Sequence, residues 1–325
     1  MQIDTTPTPP TSVPLSTIAG FWRRFAAFLI DIALLWLLGT ILGLFLFDVF
    51  AQLGLWAKLI GFAIALAYFA VLDSSMGSPE LGQGQTIGKR LLGVRLVNAD
   101  GTSISPLHAG LRYTIVATPW FLNNTPTPPG VTWQTFVLSL CFFGLGLSII
   151  YLAIFNRKTR QSVHDLIMKT YVVRSSTNGP VPTSTIWKGH RIIVAALLAL
   201  SIIAPATASL FLQRSPIKDL LPVQAALVSQ PDVRTASVMM VWNAKDSQNT
   251  AINSNIILAR KITDIDAFAS QMAHTILNTY PNADKQQVIA IYLSYGFDLG
   301  IASSWRIAAF VHTPTEWHEH LKAHG

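Results

Sequence analysis

The stretch Phe25–Phe47 is almost wholly apolar, and it carries one carboxylate, Asp31, near its start. A hydrophobic run of this length reads as a membrane-spanning helix. An aspartate inside such a helix faces protein or water rather than hydrocarbon. Arg24 lies seven positions before Asp31. Seven residues is close to two helical turns, so both side chains project from one face. The fold must therefore provide a partner for Asp31. Composition points the same way: 51% of the residues are hydrophobic, 12% are charged and the mean hydropathy is +0.43. Soluble domains carry about a quarter of their residues as charges.

Four further apolar segments follow. They are Leu55–Leu72, Leu107–Leu122 with Arg112 inside it, Phe136–Phe155 with no charge, and Ile192–Leu212 interrupted by Pro205. Lysine and arginine placement orients them. Arg23, Arg24, Lys89, Arg90 and Arg95 mark the N-terminus and the loop Asp73–Pro106 as cytoplasmic, and Arg157, Lys158, Arg160, Lys169, Arg174, Lys188 and Arg191 mark the segment after Phe155 likewise. Two cytoplasmic loops are joined by an even number of crossings, so Leu107–Leu122 is expected to cross with Phe136–Phe155. The uncharged, proline-rich link Asn123–Gln134 then lies outside, between Trp120 and Trp133 at interfacial depth. The expectation is a helical multi-pass bundle of about five spans in the cell membrane, N-terminus cytoplasmic and C-terminus extracytoplasmic. The alternative lays Leu107–Leu122 along the surface and leaves four spans. Gly39 and Gly43 have the spacing that lets two helices approach closely.

The net charge of +7 sits beside the apolar segments, which argues for the bilayer and against nucleic acid as the partner. The single cysteine, Cys141, excludes an intramolecular disulfide and a cysteine metal site. Residues 1–20 hold no Lys or Arg and contain Pro7, Pro9, Pro10 and Pro14, so they read as a disordered tail rather than a secretory signal.

Residues 92–98 have strand character, Asp100-Gly101 supplies a turn, and 102–104 is expected to return as a strand. The β-prone run 170–173 is a candidate to pair with it. Ser105-Pro106 is a helix-opening signal. Residues 175–191 form a cytoplasmic linker. From about Gln213 the chain reads as an α+β domain, with strands over 233–242 and 255–262, a helix over 265–280 capped by Asp264, a hairpin joining 287–295 to 301–312, and a short helix opened by Pro314.

Few residues invite chemistry. Gly88-Lys89 lacks both the upstream glycine of a phosphate loop (Gln83 stands there) and the following Ser or Thr (Arg90 stands there). His320 and His324 share a helix face, but His318-Glu319 lacks the second histidine of a zinc-protease helix, Lys322 standing in its place. No nucleophile, paired-carboxylate or cofactor motif is visible. The expectation is no enzyme, no cofactor and no metal.

Several separated motifs are specific. Arg24 opens the first span and Asp31 follows within it. The run Thr86-Ile87-Gly88-Lys89-Arg90-Leu91-Leu92-Gly93-Val94-Arg95 comes next, then the turn Asp100-Gly101. Arg160-Gln161-Ser162-Val163-His164-Asp165-Leu166 leads to Thr170-Tyr171-Val172-Val173. In this order they resemble the RDD family of integral membrane proteins over about residues 20–174. Met168-Lys169 departs from the small pair common in that family. The resemblance implies that Arg24, Asp31 and Asp165 are the residues for which the family is named, and it suggests transport of an unspecified ligand or ion. On that basis Arg24, Asp31 and Arg112 are candidates for an intramembrane cation or proton site, or for a permanent ion pair joining Asp31 to Arg24 or Arg112. Lys89, Arg90, Arg160, His164 and Asp165 form the cytoplasmic part of the motif. Two functions follow: a small cation- or proton-coupled permease, expected to be an oligomer because five spans give little wall for a pore, or a non-transporting scaffold whose extracytoplasmic domain binds a partner protein or envelope component.

Overall fold

The computed structural model describes residues 17–77, 82–127, 131–182, 184–214, 216–243 and 246–324. Most of the tail expected over 1–20, and Pro128, Pro129 and Gly130 of the expected outer link, lie outside the described residues. The chain is mostly helical with a sheet-containing C-terminal region. In order it forms α1 (Phe21–Leu53), α2 (Trp56–Leu72), α3 (Ile87–Leu91), β1 (Val94–Asn98), α4 (Pro106–Phe121), α5 (Trp133–Phe155), α6 (Val163–Ile167), β2 (Thr170–Arg174), α7 (Lys188–Arg214) and α8 (Leu220–Val228). The C-terminal elements are β3 (Val233–Asn243), β4 (Asp246–Leu258), α9 (Ile265–Thr279), β5 (Val288–Asp298), β6 (Ser303–His312) and α10 (Pro314–His324). Among the described residues, three helices are long and apolar enough to cross a membrane: α1, α5 and the segment Lys188–Leu210 of α7. The apolar helix α2 is shorter, at 17 residues, and α4 has 16. Helix α1 carries a non-helical residue at Leu46, and α5 passes through a π-helical segment at Leu140–Leu145.

Two compact units divide the chain. The first comprises Met1–Leu34, Ile64–Trp120 and Phe143–Leu198. Within it β1 and β2 pair antiparallel, Val94 opposite Arg174 and Asn98 opposite Thr170. The return strand expected over 102–104 is absent. Asp100 instead closes a tight turn by accepting from the Thr102 N–H (2.9 Å) and hydroxyl (2.6 Å), and the Asn98 N–H donates to the Thr102 carbonyl. The end of the expected tail is ordered. Ile18 bridges Val173, and the Ala19 N–H donates to the Val172 carbonyl at 2.9 Å. Burial explains this, since Ile18 packs with Val97, Tyr171 and Val173, and Ala19 with Ala27, Leu96 and Val172.

The second unit comprises Leu35–Ala63, Phe121–Phe142 and Ala199–Gly325. Its sheet has the order β3-β4-β5-β6, antiparallel except for the parallel pair β4–β5, which α9 connects. Asp264 caps α9 by accepting from the Ala267 N–H at 3.0 Å. Phe268, Ala269, Met272, Ala273 and Ile276 recur at helical spacing, are buried, and pack on Ile252, Ile256, Ile289, Ile291 and Leu293 of the sheet. On the opposite sheet face Met239, Val241, Ile307 and Val311 are exposed.

The C-terminal sheet shares its unit with parts of α1 and α2. Residues Gly39 and Gly43 receive the β5–β6 hairpin, not another helix. A Cβ on Gly39 would lie 2.8 Å from the Ala302 Cβ, and one on Gly43 would lie 2.4 Å from the Phe297 ring. Gly61 of α2 faces the same turn, where a Cβ would lie 1.8 Å from the Leu299 carbonyl oxygen. Lys58 pairs with Asp298 at 3.1 Å and donates to the Asn123 carbonyl. The turn satisfies its own backbone through Leu299 N–H to the Ala302 carbonyl (2.9 Å) and Gly300 N–H to Asp298 Oδ1 (2.7 Å).

Gly61→Ala is expected to destabilise by about 1–3 kcal/mol, because the neighbour it meets is backbone and cannot turn aside. Gly110→Ala meets ordinary contacts at 3.5 Å and should be neutral or stabilising. Thermal unfolding midpoints of the two variants in detergent check this, and equal midpoints would contradict it.

Candidate functional site

The charged residues of the first unit converge in two arrangements. The first is centred on Asp165, in the first turn of α6. Ser162 caps that helix, and its N–H donates back to Asp165 Oδ2 at 3.2 Å, completing a capping box. The same carboxylate accepts from Arg24 Nη2 of α1 (2.6 Å) and from Arg112 Nε and Nη2 of α4 (3.0 and 2.7 Å). Thr170 of β2 adds a longer bond at 3.4 Å. Arg112 also lies 3.7 Å from Asp73, just past the end of α2, and Asp73 is bonded through both oxygens to Lys89 of α3. Three cations and three carboxylates, counting Asp31, therefore balance within one buried region.

Burial alone would raise the Asp165 carboxyl, but the Arg112 and Arg24 guanidiniums hold it well below the usual carboxylate range. Burial pushes the neighbouring His164 imidazole down to about 3; Arg112, Arg24 and Lys89 reinforce this, while Asp165 opposes it. His164 is therefore neutral at neutral pH. Its Nε2 lies 3.4 Å from Asp165 Oδ1, and its buried Nδ1 has no hydrogen-bond partner among the described residues.

The second arrangement surrounds Asp31, which is fully buried. Both arginines expected as its partners are spent on Asp165. Asp31 instead accepts from three neutral donors: the Tyr68 hydroxyl (2.6 Å), the Thr86 hydroxyl (2.6 Å) and the Gly88 N–H (2.8 Å). Thr86 is the N-cap of α3 and accepts from the Lys89 N–H at 3.3 Å while donating to Asp31. Asp31 thus anchors the start of α3 to α1. The approach is close: a Cβ on Gly88 would lie 2.1 Å from the Ala27 carbonyl oxygen.

Among the remaining motif residues, Arg90 is exposed. Arg160 donates to the Ile18 carbonyl, and its own carbonyl accepts from Arg24. Among the described residues no group of three or more His, Cys, Asp or Glu side chains is placed to hold a metal. His318 bonds Asp284 at 3.0 Å, His320 stacks near His312, and the side chain of His324 lies outside the described residues. Sequence reasoning assigned no role to Tyr68 and Asp73. A lone tyrosine in an apolar helix and a carboxylate directly after one were the available signals.

A cleft of about 490 Å³ opens beside both arrangements. Arg24, Asp31, Lys89, Arg112 and His164 form its polar lining, while Phe21, Phe25, Phe28, Phe69, Tyr113, Val116, Ile149 and Ile150 supply apolar walls. Phe25 and Phe28 of α1 are each 42% exposed and Ile150 of α5 is 56% exposed, so the apolar side of the cleft opens outward between these helices.

Apolar helices that close over a buried, balanced charge cluster define a membrane protein. Residues 18–169 match the family model described as RDD family. The chain is also 31% identical over 102 residues to an uncharacterised protein, YckC, of Bacillus subtilis (strain 168). That match covers 31% of this chain and 55% of the relative, so the chain spans about half the length of the curated relative it matches. No solved structure matches.

Asp165→Asn strands two buried guanidiniums and is expected to cost about 3–5 kcal/mol. Asp31→Asn keeps an acceptor for Tyr68 and Gly88 but puts an amide NH2 opposite the Thr86 hydroxyl, and should cost about 1–3 kcal/mol. Equal losses in chemical denaturation would contradict the ranking. The imidazole of His164 titrates near 6.5 when unfolded but only near 3 when folded. The unfolded chain therefore binds more protons between those values, and stability falls as pH drops from about 6.5 toward 3. The slope reaches at most about 1.4 kcal/mol per pH unit. His164→Gln should flatten the thermal midpoint against pH between 7 and 5; an unchanged slope would place the effect elsewhere.

Proposed function

We propose that this protein is a multi-pass membrane transporter for a small amphipathic solute that enters the cleft beside Asp31. The proposed topology has five spans (α1, α2, α4, α5 and α7), with the N-terminus cytoplasmic and the C-terminal domain extracytoplasmic. Its support is the lysine and arginine distribution, together with Arg112 of α4, whose charge is met by Asp165 of α6 rather than left to lipid. One observation carries the cargo reading: the cleft combines aromatic walls, an outward apolar mouth and a polar floor. Its volume is in the usual range for small-molecule sites. The balanced charges favour an uncharged or zwitterionic solute over a lone ion. The unpartnered His164 Nδ1 favours one bearing an N–H or O–H donor. Asp31 already accepts three hydrogen bonds, which speaks against a bare cation as the cargo at that carboxylate.

A panel of indole, phenylethanol, tyrosine and tryptophan, all uncharged or zwitterionic, tests this. A ligand should raise the unfolding temperature of the full chain by several degrees, and Val116→Trp, which fills the cleft, should abolish the rise. The ligand found should then be taken up by proteoliposomes. No thermal shift with any of the four would overturn the reading, and a proton or sodium flux lost in Asp31→Asn would replace it with a cation-coupled permease.

The second reading is a scaffold that binds a partner protein or envelope component. The exposed sheet face holding Met239, Val241, Ile307 and Val311 favours it. Complementation of a deletion strain separates the two. Val116→Trp should fail if the cleft matters, and Ile307→Glu with Val311→Glu should fail if the sheet face matters.

A further inference from the structure

We propose that the protein holds one anionic phospholipid, its phosphate seated between Arg157 and Arg160, in a pocket that adjoins the cleft and shares Arg24 with it. This inference does not depend on the cargo proposed above. The pocket, of about 470 Å³, lies between the start of α1 and the end of α5, and Trp22, Arg24, Ile154, Asn156, Arg157 and Arg160 contribute to its lining. Three arginines and no carboxylate line it. Arg24 is committed to Asp165, and Arg160 gives one N–H to the Ile18 carbonyl. Among the described residues Arg157 has no ion pair, so its guanidinium and the remaining N–H groups of Arg160 form a cationic surface without a protein anion. Guanidinium groups match phosphate oxygens through paired hydrogen bonds.

The surroundings select a lipid over a free ion. Phe21, Ala153 and Ile154 provide an apolar wall. Trp22 is 76% exposed at the same edge, and Phe155 at the end of α5 is exposed as well. Two apolar helices end here, and exposed indole is enriched where hydrocarbon meets headgroups. A basic pocket between helices at that level suits an anionic headgroup with its chain lying along the helix surface.

The test uses the full chain in nanodiscs of phosphatidylcholine containing a minor fraction of phosphatidylglycerol brominated near the headgroup, with brominated phosphatidylcholine as the control. Bromine quenches nearby tryptophan. Selective quenching by the brominated phosphatidylglycerol is expected, and Trp22→Phe should remove the selective part. Arg157→Gln should weaken it about fivefold, the loss expected for one surface arginine at an anionic leaflet, and Arg157→Lys should restore part of it. Equal quenching by the two lipids would overturn the proposal. So would displacement of the phosphatidylglycerol signal by inorganic phosphate, which would make the site one for free phosphate. Unchanged quenching in Arg157→Gln would remove the phosphate from this pocket.

Discussion

The carboxylate of Asp165 is the constraint on which the first unit depends. It accepts from α1 through Arg24 and from α4 through Arg112. It also accepts from its own helix cap through Ser162. Segments more than a hundred residues apart in the chain thus meet on two oxygen atoms. Two guanidiniums on one carboxylate leave a positive charge over, and Asp73 sits beside Arg112 while binding Lys89. Only with the nearby Asp31 counted do three carboxylates balance the three cations Arg24, Arg112 and Lys89, and that balance is the condition for burying so many charges at tolerable desolvation cost.

Asp31 works differently. Its neighbours carry no formal charge, and they come from α2 and from the start of α3. A short helix of five residues has little stability of its own, so an anion at its first turn, backed by the Thr86 cap, holds it in place. The cleft inherits its polar floor from these two arrangements, because the residues that fasten the segments together also line the space beside them.

Much of this order can be read from the residues. Apolar runs marked the long helices, and Ser105-Pro106 marked the opening of α4, because both signals are local. The C-terminal elements emerged with shifted edges: β4 begins well before the expected start at 255 and ends at Leu258, and α8 was not anticipated because Leu220–Val228 is too short to show a clear period. The pairing of charges was beyond reach. Arg24 and Asp31 lie on one face of one helix, so proximity along the chain suggested a bond between them. The actual partner, Asp165, is brought in by the turn before β2. Only three-dimensional closure decides which of several carboxylates a guanidinium meets. The role of Gly39 and Gly43 was misassigned for a related reason, since small residues signal close approach but not the identity of what approaches.

That last point changes how the protein can be dissected. A shortened chain ending near residue 213 would strip the β-turn from Gly39, Gly43 and Gly61 and leave a bare groove on helices it was meant to preserve. Loss of activity in such a fragment would report damage to the remaining helices as readily as the absence of a binding module. Assigning labour between the two halves therefore calls for point changes on the sheet surface, with the chain kept whole.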